Sequence, residues 1–176
     1  NRIAWGASGR NGGQIWPDIA NGVEDLEKKY DFETAKSLWD ISLDAVRLVD
    51  QRISHYKIQC DKKLGSLSAA TNTSRLKEFE NEINYFQKKL NYNTSKILNK
   101  DEVAQSIGSN RYFGGHLHNE GGHLHPLKYA LGLADAAKFL DVNIFENSKV
   151  NNISEERNYV KVSTFNGLVK AKNIAL

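Results

Sequence analysis

One cysteine, no methionine and no apolar run of membrane-spanning length set the first limits on this chain of 176 residues. With Cys60 alone there is no intramolecular disulfide and no cysteine knuckle for a metal, which fits a reducing, cytoplasmic setting. The apolar runs fall far short of the roughly 18 residues a membrane helix needs, so no membrane partner is expected. Charge of one sign is also scarce. The formal net charge is +3, and Lys and Arg are scattered among acids rather than gathered on a stripe, which argues against a nucleic-acid partner. The two usual nucleotide loops are missing as well: there is no G-x-G-x-x-G, and no Lys-Ser or Lys-Thr follows a glycine as a P-loop requires. What remains, 40% apolar and 26% charged residues, is the make-up of an ordinary folded domain with a core.

The most distinctive stretch is Gly6-Ala7-Ser8-Gly9-Arg10-Asn11-Gly12-Gly13-Gln14. Closely spaced glycines let backbone N–H groups approach a charged or flat ligand. Arg10 adds a fixed cation, Asn11 an amide and Ser8 a hydroxyl.

Beyond the loop, Ile15 to Asn21 reads as irregular and Glu24 to Tyr30 as a short polar helix or a lead-in to the next one. Apolar residues at Ala35, Trp39, Leu43, Val46, Val49 and Ile53 then predict a long helix from Phe32 to Ser54, capped by Asp31. Ile58–Asp61 and Leu64–Ala70 read as a hairpin joined at Lys62-Lys63, with a bulge at Gly65. Thr73 or Ser74 caps a helix whose stripe is Leu76, Phe79, Ile83, Phe86 and Leu90. Ile97-Leu98 is a strand stub, Asn99 caps a short helix over Lys100–Val103, and Arg111–His118 is a strand. Pro126 opens a helix to Leu140 rich in small residues. Val142–Glu146, Lys149–Ile153, Tyr159–Thr164 and Leu168–Leu176 complete the chain as strands, the last two turning at Asn166-Gly167.

In that order and spacing, Trp5–Gln14, His123-Leu124-His125-Pro126-Leu127-Lys128-Tyr129-Ala130-Leu131-Gly132-Leu133-Ala134, and the later Glu146–Val150 and Val162–Ala171 resemble the D-amino-acid-oxidase-type FAD oxidoreductases, nearest the gamma-glutamylputrescine oxidase branch. The resemblance runs nearly end to end. It implies an α+β or α/β fold: part of an FAD-binding, glutathione-reductase-like Rossmann domain joined to part of a mixed substrate domain, without the N-terminal G-x-G-x-x-G unit. Residues 1–55 would hold the FAD loop and long helix, 56–122 a substrate-domain segment, and 123–176 the return to the FAD-binding domain. The chain accordingly reads as an internal piece, its partners including the missing N- and C-terminal parts of the same enzyme.

The resemblance further implies FAD as cofactor, held by Ser8, Gly9, Arg10, Asn11, Gly12, Gly13 and Gln14, with Val150 offering backbone to adenine. It implies a small amine or amino-acid-like substrate that loses hydride to the flavin, an imine hydrolysed to a carbonyl product, and dioxygen or another electron acceptor. Tyr112 and His123 become substrate-pocket candidates. No side chain is assigned as catalytic, because no Ser-His-Asp or Cys-His constellation is present.

A competing reading starts from His116-Leu117-His118 and His123-Leu124-His125 around Asn119-Glu120-Gly121-Gly122. If those four residues form a hairpin loop, His118 faces His123, His116 faces His125, and the imidazoles share a face suited to a metal. Against it, Pro126 draws His125 to a helix entry, and Glu120 and Gly121 depart from the H-x-H-x-D-H pattern of metallo-hydrolases, so no metal ligand is assigned. A His-rich metal-binding module and a non-catalytic interaction domain remain the alternatives.

Overall fold

The structure is a computed structural model that describes residues 2–19 and 22–175. The irregular stretch expected at Ile15–Asn21 and the strand expected at Leu168–Leu176 each reach residues outside the described ones; of their described parts, Ile15 is in a strand, and the last strand stops at Ala171, with 172–175 outside any ladder.

Its first sheet is antiparallel and built around β4 (Gly114–His123), a strand with four glycines. One edge of β4 pairs along its length with β2 (Lys63–Ala70), from Lys63 opposite His123 to Ala70 opposite Gly114. The other edge pairs first with β3 (Ser95–Asn99), from Asn99 opposite Gly114 to Ser95 opposite His118. It then pairs with the short β1 (Gln14–Ile15), Gln14 opposite His123. The bulge expected at Gly65 is present, with φ of +83° and a register shift between Leu64 and Ser66.

Helices cover this sheet. The expected long helix is α2 (Phe32–His55), whose cap Asp31 accepts from the Thr34 amide at 2.8 Å. Before it lies α1 (Val23–Lys29), and after β2 comes α3 (Thr73–Leu90), capped by Asn72 rather than by Thr73 or Ser74. Val23, Leu26, Ala35, Trp39, Leu43, Phe86, Leu90 and Tyr92 form one core cluster, so the apolar stripes of α2 and α3 meet as their spacing predicts. The short helix after Asn99 runs longer than its sequence pattern suggests, as α4 (Lys100–Ile107). The helix opened by Pro126 is α5 (Pro126–Phe139). A second antiparallel sheet follows, β5 (Val150–Glu155), β6 (Val160–Thr164) and β7 (Leu168–Ala171), with the hairpin at Asn166-Gly167 closed by Thr164 N donating to Gly167 O at 2.9 Å.

Three expectations fail for identifiable reasons. Ile58–Asp61 is no strand. Lys57 and Asp61 bracket it at φ of 53° and 51°, and the Cys60 carbonyl accepts from His125 N at 2.7 Å instead of from β2. Val142–Glu146 joins no ladder among the described residues: Val142 N donates back to Ala137 O at 3.0 Å, at the end of the preceding helix, and Glu146 lies in a turn. Third, the strand expected at Arg111–His118 begins only at Gly114 and runs on to His123, so Asn119–Gly122 lies in its second half and the hairpin loop that the histidine reading required does not form.

The glycines explain that last error. A Cβ on Gly121 would lie 2.3 Å from the Ile15 carbonyl oxygen, and one on Gly122 would lie 2.0 Å from that of Lys63. They are there because β1 and β2 crowd the strand from both edges, not because the chain turns. The histidine quartet consequently never assembles. His116 and His118 are 1% exposed within the sheet layer, whereas His123 and His125 are exposed at the far end.

Candidate functional site

The glycine loop is folded by its own polar groups. Ala7–Gly9 makes a single 3-10 turn, with Gly9 N donating to Gly6 O at 3.2 Å and Arg10 N to Ala7 O at 3.1 Å. The Asn11 side chain turns back on this turn. Its Nδ2 donates to the carbonyls of Ala7 at 2.9 Å and Ser8 at 3.2 Å, while Oδ1 accepts from Gly13 N at 2.8 Å. Both amide hydrogens are thereby used inside the loop, so Asn11 shapes the backbone.

Two of the loop glycines face protein and two face open space. A Cβ on Gly9 would sit 2.1 Å from the Ala4 carbonyl oxygen, and one on Gly13, at φ +65°, 1.9 Å from that of Leu124. At Gly6 a Cβ would meet nothing within 4 Å, and at Gly12 only Gln14 Cγ at 3.9 Å. Over this open rim Arg10 holds its guanidinium 4.4 Å from the Trp5 ring centroid, a cation–π contact that fixes an exposed positive charge beside the loop.

Residues distant in sequence brace the loop from behind. Leu124 N donates to Gly13 O at 2.9 Å, and His125 N to Cys60 O at 2.7 Å. His125 caps α5 through its Nδ1, which accepts from Lys128 N at 3.4 Å, as its place before Pro126 suggests. Lys128 Nζ reaches Asp61 Oδ2 at 2.6 Å and holds the Asp61 carboxyl below the usual carboxylate range. Cys60 is fully buried here beside Leu124 and Ile58, and that burial pushes its thiol up. A cavity of 370 Å³ lies between the loop, the middle of α2 and the start of α5, walled by Asn11, Gln14, Val46, Leu124 and Tyr129. The Cys60–Asp61 brace escaped the sequence, where that segment looked like a strand of the substrate region.

Among the substrate-pocket candidates, the structure brings His123 to the loop, since it lies opposite Gln14 in the β1–β4 ladder. Tyr112 stands before the other end of β4, roughly 30 Å away at the rise of an extended strand. Val150 begins β5 in the second sheet and is 45% exposed, and the segment leading into it touches the N-terminal residues where Ile3 N donates to Glu146 Oε1 at 2.7 Å.

A second polar cluster lies under α3. Ser95 Oγ is 3.2 Å from His118 Nδ1, His118 Nε2 is 3.2 Å from His116 Nδ1, and His116 Nδ1 is 3.3 Å from Glu82 Oε2. A carboxylate demands a proton on His116 Nδ1. That single N–H lies between two acceptors, Glu82 Oε2 and His118 Nε2, and His118 carries its own hydrogen on Nδ1, which it donates to Ser95 Oγ. Burial, with His116 as a lesser cause, pushes His118 down to about 3, so it is neutral in the fold. The group is a core network with one open end, His116 Nε2 being buried without a partner, and Trp16 packs on His118 at 3.8 Å between ring centroids.

The chain is similar to known proteins along nearly its whole length. The model of the family described as FAD dependent oxidoreductase matches residues 1–175. A probable oxidoreductase, OrdL, of Haemophilus influenzae is 36% identical over 175 residues, 99% of this chain and 41% of the relative. The gamma-glutamylputrescine oxidoreductase of Escherichia coli is 33% identical over 174 residues, again 99% of this chain and 40% of the relative. The chain thus spans about two fifths of the length of these curated relatives. Among solved structures, the glycine oxidase of Bacillus cereus superposes with a TM-score of 0.70 at 20% identity, covering 98% of this chain and 45% of that one. The L-amino acid deaminase of Proteus myxofaciens gives 0.75 at 16% identity, covering 97% and 36%. At such identities the likeness is one of fold, and it agrees with the mixed helix-and-sheet architecture expected from the sequence. With the family match covering the glycine loop, the helix at Pro126 and the hairpin at Asn166-Gly167 alike, the chain belongs to the FAD dependent oxidoreductase family.

Proposed function

We propose that the chain forms one wall of the flavin cradle of an enzyme that oxidises a small amine or amino-acid-like substrate, with Ser8, Gly9, Arg10, Asn11, Gly12, Gly13 and Gln14 as the wall. The observation that carries this reading is the open rim: Gly6 and Gly12 leave room for a ligand, and Arg10 is fixed beside them. Such a rim suits a dianionic pyrophosphate, which gains from a nearby guanidinium and from close backbone approach. A bound FAD would supply the two-electron acceptor for the C–H bond next to the substrate nitrogen.

The protein groups divide the remaining work. Asn11 holds the loop in its bound shape in advance, which spares that ordering cost on binding. Gly13 and Gly9 lock the loop to Leu124 and Ala4. His123, exposed beside Gln14, is the pocket side chain we assign to the substrate side, ahead of Tyr112. Val150 is the contact assigned to adenine. The division at 1–55, 56–122 and 123–176 belongs to the same proposal, the first and last segments serving flavin and the middle one serving substrate. The gamma-glutamylputrescine oxidoreductase among the relatives supports a nitrogen-bearing substrate, and dioxygen or another electron acceptor is part of the same proposal.

The test is flavin retention by the full-length protein, read from the visible absorbance of bound flavin during purification and on adding FAD. Bound flavin that weakens at least tenfold in Arg10→Ala supports the cradle. A full-length protein that stays colourless at saturating FAD overturns it.

A further inference from the structure

The turn between β6 and β7 is held by the Gly167 carbonyl, which accepts from Thr164 N at 2.9 Å and from Thr164 Oγ1 at 3.1 Å. The Asn166 side chain takes no part in that closure. Neither its amide nor Gly167 N makes a hydrogen bond among the described residues. Both residues are exposed, next to a Phe165 that is 92% exposed. A Cβ on Gly167 would find only Thr164 Oγ1, at 3.9 Å, so nothing crowds the approach to its nitrogen.

The same dipeptide occurs in the glycine loop under opposite conditions. There the Asn11 amide is tied at three points, Nδ2 to the carbonyls of Ala7 and Ser8 and Oδ1 to Gly13 N. The remaining Asn-Gly pair has its Asn21 outside the described residues. An asparagine amide carbon is electrophilic, and a following backbone nitrogen that carries no shielding side chain can close on it in a five-membered ring. Hydrogen bonds that fix the amide oppose the rotation this closure needs, since they have to open first. Asn166 has none to open.

We propose that Asn166 is a modification site, at which attack by Gly167 N converts the side-chain amide into a carboxylate, and that the fold protects Asn11 from the same reaction. The Gly167 N–Cγ bond forms, the Cγ–Nδ2 bond breaks, and ammonia leaves with the proton given up by Gly167 N. Water then opens the cyclic imide. Opening at Cγ gives aspartate, whereas opening at the backbone carbonyl gives isoaspartate, whose main chain runs through Cβ and Cγ. Asn166 lines a cavity of 200 Å³ together with Lys149 and Thr164, so the new negative charge arises in the surroundings of a lysine ammonium. Isoaspartate also adds an atom to the main chain inside the turn that Thr164 closes. The site does not depend on the flavin reading.

Native and urea-unfolded full-length protein are held at mildly alkaline pH, sampled over days and digested, and mass spectrometry follows the replacement of NH by O in each peptide. Fragment spectra assign every conversion to its residue, and a protease that cuts before aspartate but not before isoaspartate identifies the product. In the native protein Asn166 converts at least tenfold faster than Asn11, because the three bonds of Asn11 have to open first. In urea, where those bonds are gone, the two rates come together. Gly167→Ala slows conversion at Asn166 at least tenfold, and its melting curve establishes that it folds. Native Asn166 that converts no faster than native Asn11 overturns the proposal, because the turn would then be covered in the whole protein. A tenfold difference that survives unfolding also overturns it, by showing that flanking sequence rather than the fold sets the rates.

Discussion

The carbonyl of Gly13 accepts the Leu124 amide at 2.9 Å, and a Cβ added to Gly13 would lie 1.9 Å from the Leu124 carbonyl oxygen. The glycine loop is therefore held by backbone contact with the junction of β4 and α5. At φ +65° an alanine also meets the steric cost of the left-handed region, so Gly13→Ala is expected to lose more than about 2 kcal/mol of stability. Gly12 has open space where a Cβ would go. Gly12→Ala should change stability by no more than about 0.5 kcal/mol and yet weaken flavin retention. Urea unfolding and flavin absorbance on the full-length variants separate the two effects, and an unchanged flavin affinity in Gly12→Ala would mean that the cofactor does not pass over this rim.

Asn11 and Arg10 are neighbours with opposite assignments. Asn11→Ala removes two donated bonds and one accepted bond from the loop, for an expected loss of about 1–2 kcal/mol. Asn11→Asp should do no better, because a carboxylate would face the Ala7 and Ser8 carbonyls where the amide hydrogens now point. Arg10→Ala, at an exposed cation–π contact, should leave the unfolding midpoint nearly unchanged and lower flavin affinity. A stability loss in Arg10→Ala as large as that in Asn11→Ala would reverse the two roles.

The start of α4 offers a purely structural check. Asn99 Oδ1 accepts from the amides of Asp101 at 2.9 Å and Glu102 at 3.0 Å, and Glu102 Oε2 accepts from the Asn99 amide at 2.7 Å. This reciprocal capping box predicts that Asn99→Ala costs about 1 kcal/mol, while Asn99→Asp retains most of the cap. Equilibrium unfolding of the two variants measures the difference directly.

Much of this architecture is legible from local signals: α2 and α3 bury apolar faces whose spacing is local, and α5 starts at Pro126 behind its cap His125. The cap at Asp31 and the turn at Asn166-Gly167 are likewise read from a few adjacent residues. Two of the failures share a cause: each depends on a neighbour distant in sequence. Gly121 and Gly122 look like a turn until β1 and β2 are seen pressed against them, and Ile58–Asp61 looks like a strand until Cys60 is seen bonded to His125. At the site, the glycines and Arg10 stand out from the sequence alone. What they rest on does not, since the contacts of Gly13 with Leu124 and of Asp61 with Lys128 leave no local pattern.

The buried histidines give the chain a predictable response to acid. His118 falls from its ordinary 6.5 to about 3 in the fold, chiefly because burial penalises its cation, with adjacent His116 adding to the shift. The unfolded chain takes up a proton at this residue as pH drops below 6.5, whereas the folded chain does not until about pH 3. Between those values the unfolded state binds more protons, so stability declines as pH falls, at up to about 1.4 kcal/mol per unit. From pH 7 to pH 5 the loss due to this residue amounts to about 2 kcal/mol. Replacing it by His118→Gln removes the titrating group while keeping a side chain able to face Ser95. That variant should be less stable at pH 7, having given up a ring packed on Trp16, and its stability should change by about 2 kcal/mol less over the same pH interval. Guanidinium unfolding of both full-length proteins at the two pH values makes the comparison. Equal slopes would mean that His118 binds its proton in the folded state as readily as in the unfolded one, and hence that the Ser95–His118–His116–Glu82 chain opens to water.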